Sequence, residues 1–309
     1  MYESLQEHSD NFHLFIFAFD NISCRILKSL SLQNVTIVSL QEFETPELLA
    51  VKNERSKGEY CWTCTPSTIS YVLNKLQLPN CTYLDADLIF YSDPAVLIDE
   101  MVGNNKNVLI TEHRFSQVAK LYELNRAGRF CVQFVTFTND SDSLEILEKW
   151  RLQCIDWCYA RYEDGKFGDQ KYLDEWPLNY KNIHILNNIG GGVAPWNLQQ
   201  YYFDENEGSI EGKVRKSGVK FRLVFFHFQY VRFIETGLID IGWYCISKKV
   251  KNLFYLPYLR NIIEIENSIM KNDSSYRKLI SDFSTGSLKN IIKKVIKKTF
   301  RYNLVKISN

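Results

Sequence analysis

The chain has 309 residues, is 45% hydrophobic and 14% aromatic, and carries a formal net charge of +1. That length and apolar content support a large packed core and exclude wholesale disorder. No apolar run reaches the roughly 18 residues a membrane-spanning helix needs.

The near-zero net charge hides an asymmetry. Residues 240–309 hold 14 Lys/Arg against 5 Asp/Glu, a net of +9, and residues 1–239 carry −8. An acidic body with a basic tail suggests two separate jobs. The opening Tyr2-Glu3-Ser4 is polar, so no signal peptide is expected. Eight cysteines without such a signal predict reduced thiols and a cytoplasmic protein.

In chain order, residues 2–8 read as a short helix and Phe12–Phe19 as a strand. Asp20 caps a helix over Ile22–Leu30, and Val35–Leu40 is the next strand. Thr45-Pro46-Glu47 opens a helix, with threonine at the cap, proline in the first turn and an acid beside it. Thr65-Pro66 reads as another helix start, running to about Leu76. Cys81–Leu84 follows as a buried strand of a parallel sheet, and Asp93-Pro94 starts a helix through Met101. Strands are expected at Asn107–Thr111 and Phe130–Thr138, a helix over Ser143–Tyr162, a mobile polar loop at 204–218, and a last strand at Phe221–Tyr230. Regular alternation of strand and helix predicts an α/β class with a mixed, largely parallel sheet.

The strand at Cys81–Leu84 delivers Asp85 and Asp87 to its end. In extended chain that spacing points both carboxylates to one side, where they can share a cation. The tripeptide alone is weak evidence, and a solvated turn is the plainer reading. A calcium loop is excluded, because the fifth, sixth and twelfth positions from Asp85 are Ile89, Phe90 and Val96. What remains is a hard-cation site with few protein ligands, suited to Mg²⁺ or Mn²⁺ bound jointly with substrate phosphates.

Three further polar clusters follow predicted strands or lie in glycine-rich turns: Glu112/Arg114, Asp169/Gln170 and His227. On an α/β sheet such positions can gather at one rim with Asp85/Asp87. Two carboxylates and an imidazole around a cation would polarise a departing nucleotide, and Arg55 or Lys57 could bind phosphate. Transfer from a nucleotide-activated donor is the chemistry this composition of residues suggests.

At these residues the chain resembles bacterial GT-A-fold glycosyltransferases similar to glycosyltransferase family 8, of the kind found in surface-polysaccharide gene clusters. The likeness runs through Arg55–Pro66, Tyr83–Asp87, Phe167–Trp176, Gly190–Asn197 and Phe225–Phe228, over about residues 1–235. It implies a Rossmann-like GT-A domain at 1–235 and a helical extension at 236–309. It further implies a UDP-linked nucleotide-sugar donor, a glycan or lipid-linked acceptor, and Mn²⁺ or Mg²⁺ held by Asp85, Asp87 and His227. Asp169 and Gln170 would stand beside the anomeric carbon, Gln170 stabilising an oxocarbenium-like state, which fits front-face retention, and Asp169 binding a hydroxyl or attacking transiently. Trp62 and Thr63 would line the nucleotide, and Arg55, Glu112, Arg114, Gly191 and Gly192 would bind the donor. In that family one more strand precedes the helix matching Tyr2–His8, so part of the base pocket is expected to be missing; a nucleotide-sugar-binding relative with little or no activity is the alternative.

Each residue has a plainer role as well. His227 between two phenylalanines could be core, Asp169 a helix cap, Glu112 and Arg114 a surface ion pair, and Gly190-Gly191-Gly192 merely a loop. Cys61-Trp62-Thr63-Cys64 invites a redox or zinc reading, which leaves the acidic pair unexplained. From Leu288 apolar residues recur at helical spacing, with Lys289, Lys293, Lys294, Lys297, Lys298 and Arg301 on the other side. A basic amphipathic helix at about 287–302 is expected to rest on an anionic membrane surface, placing the protein on the inner face of the plasma membrane. A docked C-terminal helix is the alternative; no nucleic acid partner is expected, since stacking aromatics are lacking.

Overall fold

The computed structural model describes residues 1–309 except 207, 236, 274, 277–296, 298 and 308–309. The chain divides into two compact units, Met1–His227 and Phe228–Asn309.

The first unit opens with α1 (Tyr2–His8), β1 (Leu14–Ala18), α2 (Asn21–Ser29), β2 (Val35–Ser39), α3 (Leu40–Phe43) and α4 (Pro46–Lys52). Local signals explain these bounds. Asp20 accepts from the Ser23 N–H at 2.7 Å to start α2, and Thr45 caps α4 with Pro46 in its first turn. β1 and β2 pair in parallel, Leu14 opposite Val35.

α5 (Lys57–Ser70) departs from expectation: its first residue lies nine positions before Pro66, which falls inside it. The start is set by a capping box, Ser56 bonding the Glu59 N–H while Glu59 reaches back to the Ser56 N–H at 2.8 Å. Packing on α8 (Ser141–Asp156) then holds the helix through a proline that removes one hydrogen bond. A π turn, Tyr71–Lys75, ends it.

β3 (Asn80–Leu84), β4 (Leu88–Phe90), α6 (Ala95–Gly103), β5 (Val108–Glu112), α7 (Gln117–Ala127) and β6 (Phe130–Thr138) follow, then α8, α9 (Trp176–Asn179) and β7 (Ile183–Ile185). The central sheet has the order β3-β6-β5-β7. The α/β class and the mixed sheet stand, with β3, β5 and β7 running in one direction. Only the β5–β7 pair is hydrogen-bonded in parallel there; β6 enters between β3 and β5 antiparallel to both. Alternating strand and helix signals do not reveal that insertion, and β3 is a half-buried outer strand of this sheet rather than a buried parallel one.

Residues 204–218 are not a loop. β8 (Tyr201–Asn206), β9 (Ser209–Val214) and β10 (Lys220–Arg222) form a three-stranded antiparallel sheet. Its apolar face is Tyr201, Phe203, Ile210 and Phe221, and the Phe221 ring fills the space beside Gly212, where a Cβ would come within 2.1 Å. Alternation of period two was present but diluted by charged residues on the open face. The expected strand at Phe221–Tyr230 is likewise split into β10 and β11 (Phe225–His227), because Leu223 and Val224 give their N–H groups to Ile210 and Gly190.

The main core of the unit joins α8 to the central sheet through Trp150, Leu147, Cys154, Phe137, Val135 and Ile110. A second cluster, with Leu88, Phe90, Leu97, Phe134 and Phe225, lies where β4 pairs with β11.

In the second unit, β12 (Arg232–Glu235), β13 (Leu238–Asp240) and β14 (Leu304–Lys306) make an antiparallel sheet, with α10 (Lys248–Val250) and α11 (Leu256–Asn272) between β13 and β14. Most of the expected basic helix at 287–302 lies outside the described residues. Lys297 is described, and it corrects the expectation for that side chain: it is buried, paired with Asp240, bonded to the Gly242 carbonyl at 2.7 Å and set over the Trp243 ring. No helix among the described residues is long and apolar enough to cross a membrane.

Candidate metal centre and its surroundings

Three side chains from distant parts of the chain converge in the first unit. Asp85 and Asp87 occupy the turn between β3 and β4, and His227 ends β11. β4 pairs antiparallel with β11, Leu88 opposite His227, so the ladder itself brings the imidazole to the acidic turn. His227 Nε2 lies 3.0 Å from Asp87 Oδ1 and 3.6 Å from Asp85 Oδ2. One ligand atom from each of the three falls within 4.8 Å of the others. Asp85 and Asp87 keep 30% and 40% of their side chains exposed against 6% for His227, so the carboxylates are reachable and the imidazole backs them.

The surroundings prepare His227 to be a ligand. Its Nδ1 is 2.6 Å from Gln133 Oε1, an atom that can only accept. The Nδ1 proton is thereby fixed, and Nε2 faces the two carboxylates. Trp196 stands edge-on to the ring at 5.3 Å, and the Val193 carbonyl takes the His227 N–H at 2.9 Å.

Charge follows the same arrangement. Burial alone would lower the His227 pKa, but the carboxylate of Asp87, and then that of Asp85, hold it well above the ordinary value. Burial opposes the charged form of Asp87, yet the imidazole keeps its carboxyl below the usual range. Asp85 is pushed up, by burial first and by Asp87 second, with His227 pulling the other way. Two hard oxygens and one imidazole nitrogen fit a divalent cation that also takes phosphate oxygens. Asp85, Asp87 and His227 can hold such an ion.

Asp169 adjoins this centre. It is 5% exposed, and burial pushes its carboxyl up to about 7, a hydrogen bond from Thr65 opposing and the charge of Asp85 adding. The Tyr83 hydroxyl donates to Asp85 at 3.1 Å, and Tyr83 also feels the charge of Asp169. The Trp150 indole N–H holds the Asp169 carbonyl at 2.8 Å. Gln170 is half-buried and its amide nitrogen donates to the Ala127 carbonyl at 2.7 Å. Trp62 lies on α5 against Phe167 and Gly168, partly exposed beside this segment.

The other expected donor-binding residues are engaged elsewhere. Arg55 is buried; its guanidinium covers the Tyr159 ring at 3.9 Å and bonds that hydroxyl and the Ile155 and Asp156 carbonyls at the end of α8. It serves there as a helix C-cap. Thr63 is buried and its hydroxyl returns to the Glu59 carbonyl of its own helix at 2.8 Å. Glu112 forms an ion pair with Arg129. Arg114 donates to the carbonyls of Leu186, Asn188 and Gly191 at 2.7, 3.0 and 3.1 Å, clamping the glycine loop.

The glycines are fitted closely by the protein around them. A Cβ on Gly190 would come within 2.0 Å of the Arg222 carbonyl oxygen, on Gly191 within 2.7 Å of Leu186, and on Gly192 within 2.8 Å of Thr111. Gly190 to Asn197 thus forms a close-fitting wall behind β11. Asn197 secures it, donating to the carbonyls of His113 and Gly192 at 2.9 Å each. The redox reading of Cys61 and Cys64 also fails. Both sit on α5, and burial raises the thiol pKa of Cys61 and pushes that of Cys64 up to about 12, opposite to an activated thiol.

Sequence reasoning missed Gln133, Tyr83 and Thr65. Gln133 had a signal: a long amide inside the run Phe130–Thr138, otherwise aromatic, aliphatic or small. Fully buried polar side chains need a reason.

Fold and site together define an α/β protein with a two-carboxylate, one-imidazole cation site. No family model matches the chain. It is 31% identical over 267 residues to the uncharacterized protein YfnD of Bacillus subtilis (strain 168), covering 85% of this chain and 83% of that protein. It is 30% identical over 245 residues to the uncharacterized protein YfnF of the same organism, covering 77% and 78%. The chain belongs to the family of these two proteins. Among solved structures, the apo form of mouse xyloside xylosyltransferase 1 overlaps 62% of this chain and 78% of its own at a TM-score of 0.41 and 13% identity, a likeness that carries no weight for what this chain does.

Proposed function

We propose that the protein is a metal-dependent glycosyltransferase that moves a sugar from a UDP-linked donor to a glycan or lipid-linked acceptor with retention of configuration. The observation that carries this reading is the convergence of Asp85, Asp87 and His227 within reach of one ion. The sequence likeness over residues 1–235 supports the transferase chemistry. A bound Mn²⁺ or Mg²⁺ would neutralise the donor diphosphate and ease departure of the nucleotide.

The chain's own residues supply the rest. Asp169, buried and close to Asp85, binds a donor hydroxyl while protonated and becomes a nucleophile once ionised. Gln170 orients the sugar, its amide nitrogen anchored on the Ala127 carbonyl and its oxygen left to accept. Trp62 offers a partly exposed ring for the nucleotide.

The test is Asp87→Ala. We expect loss of Mn²⁺-dependent UDP-sugar binding and a fall in donor hydrolysis of at least about 100-fold. Turnover equal to that of the parent would remove the metal assignment.

A second reading is favoured by one observation: Arg55, Thr63 and Arg114 are all spent on protein partners. A nucleotide-sugar-binding protein without transfer needs fewer donor contacts. Hydrolysis of UDP-sugars with Mn²⁺ present separates it from the transferase.

A further inference from the structure

Gln133 makes both halves of the cation site answer to one residue. Its main-chain carbonyl accepts the Asp85 N–H at 3.2 Å, continuing the β3–β6 pairing into the acidic turn. Its side-chain oxygen accepts from His227 Nδ1 at 2.6 Å. Asp85 and His227 are 142 positions apart in sequence and meet across this single glutamine.

The arrangement is costly. Gln133 is fully buried, and its amide nitrogen finds no hydrogen-bond partner. A buried polar group left unsatisfied is unfavourable. An apolar residue would suit the neighbouring core better, so the amide is retained for what its oxygen does. Gly192 makes room for it: a Cβ there would approach the Gln133 amide nitrogen to 3.1 Å.

We propose that Gln133 is the positioning residue that decides which cation the site prefers. By accepting from Nδ1 it presents the Nε2 lone pair of His227 to the ion. An imidazole ligand favours a first-row transition ion, whereas a set of oxygens alone suits Mg²⁺. Without the glutamine oxygen the ring loses its fixed tautomer and orientation, and the site reverts to its two carboxylates. The inference deepens the metal-dependent reading above and rests on its cation site, not on sugar transfer.

The experiment measures binding of Mn²⁺ alone and Mg²⁺ alone to the full chain, without nucleotide or sugar, in the parent, Gln133→Leu and Gln133→Glu. Gln133→Leu is expected to bind Mn²⁺ about 10- to 100-fold more weakly, the range seen when a metal-bound histidine loses its outer partner. Its Mg²⁺ affinity should change by less than about threefold, so the Mn²⁺ to Mg²⁺ preference collapses. Gln133→Glu, which keeps an acceptor, should retain the parental preference. A merely structural role would weaken both ions together and would not be rescued by glutamate. If Gln133→Leu fails to fold, Gln133→Asn, whose amide falls short of the ring, carries the same measurement. Parental Mn²⁺ preference in a folded Gln133→Leu or Gln133→Asn overturns the inference while leaving the cation site intact. A parent that binds no Mn²⁺ overturns the site and the inference together. A parent that binds Mn²⁺ here but shows no UDP-sugar hydrolysis in the separate transferase assay loses the transferase reading alone, and the inference on Gln133 stands.

Discussion

Asp169 couples the proposed chemistry to pH in a direction that can be worked out. Its ordinary carboxyl pKa is near 3.9, and burial lifts it to about 7 in the fold. Between those values the folded state binds a proton that the unfolded state has lost. Stability of the metal-free protein should therefore fall as pH rises from about 4 to about 7 and level off above that. Asp169→Asn cannot ionise and should lose this decline. Denaturant unfolding with a chelator present, at pH 5 and pH 8, should show the variant gaining on the parent by on the order of a few kcal/mol at the higher pH. Equal pH dependence in the two proteins would mean that the carboxyl is not held protonated. The sequence offers Asp169 as a candidate but no hint of its pKa, because the groups around it, Trp150 at its carbonyl and Thr65 at its carboxyl among them, come from other elements.

At the level of elements, glycine has two opposite meanings here. Gly58, in the first turn of α5, has no atom within 4 Å of where a Cβ would stand. Gly58→Ala should stabilise by about 0.5–1 kcal/mol, since only backbone freedom in the unfolded chain is at stake. Gly190 faces the Arg222 main chain, which cannot swing aside as a side chain would. Gly190→Ala should push its loop away from the β10–β11 segment, breaking the bonds from Val224 and Phe225 to the Gly190 carbonyl at 3.0 and 3.2 Å. A loss of about 3 kcal/mol or more is expected, and thermal melting of the two variants checks both signs. Because Val193 carries the His227 N–H, the same change should also weaken Mn²⁺ binding. From sequence, three successive glycines suggest a ligand loop; the packing adds that Arg222, Leu186 and Thr111 leave no room for a Cβ at any of them.

For the whole molecule, the −8 and +9 halves still ask what the basic end is for. We propose that it holds the protein on anionic lipid, at the inner face of the plasma membrane, beside a lipid-linked acceptor. Lys297 no longer contributes, since it is buried against Asp240. The proposal rests on Lys289, Lys293, Lys294, Lys298 and Arg301. Removing residues 285–309 would also remove β14, so charge reversal is the cleaner probe. Lys293→Glu with Lys294→Glu and Lys298→Glu should reduce co-sedimentation with vesicles containing phosphatidylserine by about tenfold or more, at on the order of 1 kcal/mol per cation. UDP-sugar hydrolysis should be unchanged. Undiminished sedimentation would favour a docked C-terminal segment instead.

The sequence alone determined the elements whose cause is local. Asp20 and Thr45 set helix starts through their own neighbours, Phe130–Thr138 reads as a strand from its own composition, and Asp85-Ala86-Asp87 is short enough to be seen whole. Only the tertiary structure decided what depends on pairing at long range. It inserted β6 antiparallel beside β3, turned a polar stretch into a hairpin, spent Arg55 and Arg114 on carbonyls, and set Gln133 between Asp85 and His227. The physical reason is that capping and periodicity are written within a few residues, whereas a hydrogen-bond partner in the core is known only once distant strands have found their register.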